Sequence, residues 1–174
     1  MESRPHPIFA PIAVGVTLMA PAALAVAAHQ VVLFASLGPS AVMEAQAPGP
    51  RSSAYSVVVS HLGGFAIASF VVLALGIGQE PSVFQLHFVD WPRAIAAVSS
   101  LMIATAFEIR VRAPHPPGAA TTLLVALGSL KPNWQTFALV AVGVGATAAT
   151  AEVIRRLRAD GRIPGGAARA DVAD

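Results

Sequence analysis

The chain has 174 residues, of which 55% are hydrophobic and only 11% charged, with a mean hydropathy of +0.68. A soluble domain carries about 25% charged residues, so this composition excludes an ordinary water-exposed fold and requires an apolar solvent. The absence of cysteine excludes disulfides, thiolate metal sites and a cysteine nucleophile. The pI near 9.9 rests on arginines that flank apolar runs without interleaved aromatics, which reads as a topology signal and not as a nucleic-acid surface.

A membrane-crossing helix needs about 20 residues at ~1.5 Å each. In chain order, Ile8–Ala28 is the first such run. Ala-x-Ala at Ala23–Ala25 imitates a signal-cleavage site, but the 21-residue run is longer than a secretory h-region and reads as a retained span. The next is a short apolar segment, Val31–Met43, interrupted by Gly38–Pro39–Ser40, where Ser40 could cap a new helix. Ser56–Gly78 is a second full span and contains His61 in a stretch without charge. An acidic loop around Glu80 and Asp90 follows. Trp91–Phe107 is a third span, with an interfacial tryptophan and Pro92 suited to a first turn. Pro117–Leu130 is a second short segment. Trp134–Ile154 is the fourth span, and a polar, arginine-rich tail covers 155–174.

The order is long, short, long, twice over, with halves at about 8–78 and 91–154. The expected fold is therefore all-α: a single polytopic helical membrane domain of two triplets, forming an inverted repeat if the short segments also cross. Charge tests this. With six passages, Arg4, Arg51, Arg110, Arg112, Arg155, Arg156, Arg158, Arg162 and Arg169 share one side, and Arg93 and Lys131 the other, nine against two. With re-entrant short segments the division falls to seven against four. The positive-inside rule favours six passages with both termini cytoplasmic, as in a bacterial inner-membrane protein. Gly143, Gly145, Thr147 and Ala151 have the spacing of a close helix contact.

The most distinctive stretch runs from Arg110 to Thr122. Three prolines bar a continuous helix, and Pro117 suits the start of a new one, with Thr121 and Thr122 one turn in. A helix beginning there would turn free N–H groups and a positive dipole end toward His115, an arrangement that favours anions. His115 itself can exchange a proton near neutral pH. Paired, interrupted short segments mark the binding site in many transporters. A buried histidine such as His61 is a functional candidate by the rarity of ionisable groups in membranes, against the plainer role of bonding to a neighbouring helix. Glu108, Arg110 and Arg112 are expected at the interface or in a water-filled vestibule, chiefly as topology determinants and secondarily to attract anions to an entrance, and His6, His29 and His87 as interfacial residues.

His115–Pro116–Pro117–Gly118–Ala119 resembles the signature of the HPP family of integral membrane proteins. Ala35–Ser36–Leu37–Gly38–Pro39–Ser40–Ala41–Val42 is similar to that family's early small-residue motif. His61, with Gly63 and Gly64 after it, is similar to its intramembrane histidine. The stretch Tyr55–Ser60 lacks the glycine that usually precedes that histidine, and the CBS pair of some members is missing. The resemblance implies a domain usually described with four spanning helices and, from members implicated in nitrite transport, a transporter of a small inorganic anion. Proton coupling would suit the two histidines.

The candidate binding residues are Ser36, Gly38, Pro39, Ser40, His61, His115, Pro116, Pro117, Gly118, Thr121 and Thr122. No catalytic residue, metal ligand set or cofactor is expected, since no HExxH, phosphate loop or dinucleotide fingerprint occurs. The expected partners are the anion and the lipid bilayer, without nucleic acid, and self-association stays open. The alternatives are an anion channel, a non-transporting membrane subunit, and an intramembrane serine hydrolase using Gly38–Pro39–Ser40–Ala41 with a histidine base.

Overall fold

The computed structural model describes residues 8–46 and 53–163. Arg4, His6, Arg51, Arg169 and the tail from residue 164 onward lie outside the described residues. Among those described, there are seven helices and no strand: α1 (Phe9–Ala28), α2 (Leu37–Gln46), α3 (Ala54–Ala74), α4 (Val83–Leu86), α5 (Trp91–Arg110), α6 (Pro116–Ala126) and α7 (Trp134–Ala159). Four of them, α1, α3, α5 and α7, are long and apolar enough to cross a membrane.

Local chemistry sets the boundaries. Ser53, Asp90 and Asn133 each accept a hydrogen bond from the backbone N–H three residues on, and so start α3, α5 and α7. Pro92 occupies the first turn of α5, as expected. α3 stops at Ala74, before the expected Gly78, because Gly76 turns the chain in the left-handed region at φ +73°. α7 runs past Ile154 to Ala159, because Glu152 bonds Arg155 and Arg156 on the helix face. The short helix α4 was not expected; it is held by a capping box in which Ser82 and Gln85 exchange bonds.

The first short segment differs from the expectation. The chain is non-helical before Leu37, and Gly38, Pro39 and Ser40 form the opening turn of α2 instead of a break within it. Proline is tolerated there because first-turn amides have no helical acceptor. Ser40 is therefore inside α2 and not its cap.

Contacts along the helices give the direction of each. Tyr55 donates to Val111 O, so the start of α3 meets the end of α5. α6 begins beside Glu108 and ends at Ala126, whose carbonyl accepts from Arg93 near the start of α5. The short helix thus returns the chain along the length of α5. Lys131 then donates to Gln79 O and Glu80 O, which places the α6–α7 and α3–α5 connections at the same end. α7 runs back again. Arg158 near its end stands over the Phe9 ring, 4.8 Å from the centroid, and donates to Ala45 O near the end of α2. At the other end, Gln30 and Trp134 line one groove of the surface.

The chain passes from end to end six times. Four passages are full helices. The other two are made by residues 29–46 and 111–126, each an irregular stretch followed by a helix of only ~15–17 Å. Both described ends, and Arg110, Arg112, Arg155, Arg156, Arg158 and Arg162, share one end of the bundle. Arg93 and Lys131 lie at the other.

Packing divides the bundle into two sets of three. α3, α5 and α6 pack on one another, as do α1, α2 and α7. The principal contacts between sets are α3 on α7 and α2 on α6. Exchanging the halves, α1 with α5, α2 with α6 and α3 with α7, maps one set onto the other. α2 and α6 run in opposite directions. One core joins the sets: Val57, Phe65, Ala68 and Val72 of α3 cluster with Val140, Val144 and Ala148 of α7, and Phe65 meets Phe137 edge-on at 5.5 Å.

Candidate functional site

Glycines bring the backbones together where polar residues meet. A Cβ on Gly118 would strike the side chain and carbonyl carbon of Ser60, and one on Gly64 would strike Thr122 Oγ1. α6 therefore lies directly on α3, the close approach that small residues allow between membrane helices. A Cβ on Gly143 would strike Val32 O, so α7 carries the irregular stretch before α2 in the same way. Gly145, which was grouped with it by spacing, faces open space.

These approaches enclose a polar cluster. Ser36, Ser40, His61, His115, Thr121 and Thr122 are each 0% exposed. Ser36 Oγ lies 2.6 Å from Thr121 Oγ1, and Thr121 Oγ1 lies 2.6 Å from His61 Nδ1. His61 Nε2 lies 2.8 Å from Ser40 Oγ, and His115 Nε2 3.1 Å from the same oxygen. Ser40 Oγ also lies 3.1 Å from its acceptor Ser36 O. The two imidazole centroids are 5.4 Å apart. Buried polar atoms without partners cost several kcal/mol in hydrocarbon, so a network in which only one ring atom of the cluster, His115 Nδ1, lacks a partner holds its members in place.

The structure unites seven of the expected residues: Ser36, Ser40, His61, His115, Gly118, Thr121 and Thr122. Thr122 donates back to Gly118 O and touches α3 through Gly64, standing one turn from the imidazoles. Pro116 and Pro117 open α6, and His115 is its N-cap residue without a side-chain capping bond. Gly38 and Pro39 shape the first turn of α2, and Pro39 is exposed. The free amides expected at α6 are not available: the two prolines have no N–H, and the Gly118 N–H donates to His115 O at 2.8 Å. The positive end of the helix remains, but hydroxyls and imidazoles are the donors near it.

Sequence reasoning placed Glu108 at the interface as a topology residue. Its carboxylate also accepts from the Ser60 hydroxyl and, at 3.4 Å, from the His115 N–H. Ser60 also contacts His115 O at 3.0 Å. The seven-residue separation of Glu108 and His115, two helical turns in an unbroken helix, carries no signal once prolines fold the chain back. Among the described residues, no group of three or more histidines and carboxylates could hold a metal ion.

Each short helix ends on an arginine. Arg93, 3% exposed, donates to Ala126 O, Ile77 O, Glu80 O and Pro81 O. Arg158 donates to Ala45 O at 3.3 Å. The negative ends of α6 and α2 are thus met by cations at opposite faces, while their positive ends overlap in the interior.

Neither the curated proteins nor the solved structures provide a match to this chain. A family model described as "HPP, transmembrane region" matches residues 5–164, almost the full length and both short segments. The chain belongs to the HPP family of multi-pass membrane proteins.

Proposed function

We propose that this protein is a transporter of a small inorganic anion, with nitrite the leading candidate substrate. The observation that carries the reading is the inverted pair α2 and α6, whose starts overlap side by side in a buried cluster of hydroxyls and imidazoles. Discontinuous helices at a repeat interface form the substrate sites of many carriers. An anion leaving water would regain hydrogen bonds from Ser36, Ser40, Thr121 and the histidines, beside two positive helix ends and without a fixed cation. Complete burial of the cluster favours a carrier over an open channel. Opening would separate α2 from α6 while the apolar α3–α7 contact holds the sets together. The arginine bias supports placing the end that carries both termini in the cytoplasm of a bacterial cell, in its inner membrane.

The test is uptake of nitrite by liposomes containing the purified protein, beside His115→Ala inserted at equal density. Uptake above empty liposomes that falls in the variant supports the reading. The absence of uptake in either orientation, with and without a pH gradient, removes nitrite and favours a non-transporting subunit or another solute.

A second reading has one specific observation behind it. Ser40 Oγ and His61 Nε2, at 2.8 Å, are spaced as a nucleophile and its base. Yet His61 Nδ1 meets a hydroxyl, Thr121, where a hydrolase places a carboxylate. Covalent labelling of Ser40 by a fluorophosphonate would favour the hydrolase.

A further inference from the structure

We propose that the protein moves one proton with each anion, and that Ser40 is the latch linking the proton-holding pair His61 and His115, whose free ring nitrogen His115 Nδ1 receives the proton. This rests on the transport reading above and adds its coupling.

Ser40 has one hydroxyl proton and three neighbours able to take it: Ser36 O, His61 Nε2 and His115 Nε2. Thr121 has one proton between Ser36 Oγ and His61 Nδ1. One neutral arrangement satisfies all of these contacts. The Ser36 hydroxyl donates to Thr121, and Thr121 donates to His61 Nδ1. Both Nε2–H groups then donate to Ser40, which donates to the Ser36 carbonyl. A serine oxygen accepts two bonds, so the set closes. It leaves one ring atom over: His115 Nδ1, buried and without a partner, as a bare lone pair. The resting cluster is therefore neutral with one vacant position for a proton.

The surroundings limit the charge to one. His61 of α3 and Glu108 of α5 are the titratable groups that meet His115 or its backbone. α2 and α6 bring hydroxyls to the cluster; Glu44, one turn beyond Ser40 on α2, lines a separate hollow with Arg155 and Arg158, and the charged residues of α7 begin at Glu152, toward the terminal end. Two imidazolium rings 5.4 Å apart would repel strongly in so dry a setting. Half-buried Glu108 stands between the arginine-rich end and the cluster, where its carboxylate accepts from Ser60 and the His115 N–H.

Coupling follows from where the bonds run. Ser36 and Ser40 belong to one three-helix set, and His61, His115 and Thr121 to the other. Separating α2 from α6 removes the Ser40 oxygen from both rings at once. Neutral imidazoles lose their partner, which favours closure when no anion is present. With a proton on His115 Nδ1 and an anion between the sets, the imidazolium and the anion satisfy each other, and the open form is stabilised. The proton comes from water on the anion's own side, and both are released together on the other side. The imidazole returns to its neutral state and the net charge moved is zero.

The experiment uses the full chain in liposomes loaded with a pH-sensitive dye, with nitrite outside, nitrate and chloride as comparison anions, and the membrane potential set by a potassium gradient with valinomycin. Rates are taken above protein-free liposomes, because nitrous acid crosses lipid unaided. The expected result is nitrite uptake unchanged by an imposed potential and accompanied by one proton per anion. Ser40→Ala and His115→Gln are expected to reduce proton movement at least tenfold, with Ser40→Thr restoring it; all three should keep the monodisperse elution of the parent. Uptake that rises with inside-positive potential, without dye response, would overturn the coupling and leave the transport reading intact. Proton-coupled uptake that survives Ser40→Ala would overturn the latch. No protein-dependent uptake of any of the three anions would overturn both.

Discussion

Ser36 Oγ lies 2.6 Å from Thr121 Oγ1, joining the stretch before α2 to the middle of α6 across 85 positions of sequence. The bond spans the contact between the two three-helix sets, so its strength contributes to how firmly they close. Side-chain bonds between membrane helices average about 0.6 kcal/mol and reach about 1.7. Ser36→Ala is expected to lower thermal stability in detergent by an amount in that range. The natural absence of cysteine allows a second measurement. A lone thiol from Ser36→Cys should react with a maleimide far more slowly than one from Gly161→Cys at the exposed end of α7, and saturating anion should change the Ser36→Cys rate alone.

Close approach of α3 and α6 predicts a sharp contrast among glycines. Gly118→Ala places a methyl group into Ser60, including its backbone, and Gly64→Ala places one against Thr122. Overpacking of this kind costs about 1–3 kcal/mol. Both substitutions should lower the melting temperature and disturb nitrite uptake through the displaced cluster. Gly145→Ala meets open space and should leave stability within about 0.5 kcal/mol of the parent. Equal gains at all three positions would show that the higher helix propensity of alanine, and not α3–α6 contact, controls the effect.

Arg93 predicts a different kind of loss. Its guanidinium meets four carbonyls, two of them from the Glu80–Pro81 loop and one from the end of α6. Gly128, at φ +83°, turns the chain immediately beyond α6, and a Cβ there would strike the guanidinium. Hydrogen bonds to a charged group contribute about 1.5–3 kcal/mol each. Arg93→Met should therefore destabilise by at least about 2 kcal/mol and speed proteolysis at the 75–90 connection. Arg93→Lys should recover only part, because an ammonium cannot fan out to carbonyls on both sides as a planar guanidinium does.

The existence and order of the four full helices and the two short segments were legible because hydrophobic length acts locally; their ends were not, since Gly76 and the Glu152 ion pairs set them. His61 and His115 stood out because ionisable groups are rare in such runs. The register between halves was not legible. That Ser40, and not Ser36, meets both rings depends on α2 starting at Leu37, and nothing in Gly38–Pro39 distinguishes a first turn from a break. The contacts of Glu108 were not legible for a related reason: they come from a chain reversal at Pro114–Pro117 that returns His115 to its side chain. The amides of α6 were overestimated although the answer was present in the sequence, since two consecutive prolines remove two of the donors a helix start offers.

The six-fold passage makes a final prediction that separates two topologies sharply. Charge at the two connections flanking α6 is the deciding feature: Arg112 precedes it and Lys131 follows it. If α6 returns the chain across the bilayer, these positions face opposite compartments. If the segment merely dips in and out, they face the same one. Single cysteines replacing Arg112, Lys131, His87 and Gly161 in the cysteine-free chain, labelled with an impermeant maleimide in sealed inside-out and right-side-out vesicles, read this directly. The expected pattern pairs 112 with 161 and 131 with 87, because Lys131 bonds Glu80 O in the α3–α5 connection and Arg112 follows the helix end met by Tyr55. Reaction of 112 and 131 from one side would remove the α6 passage, break the inverted relation of the halves, and remove the opposed helix starts on which an anion site between α2 and α6 depends.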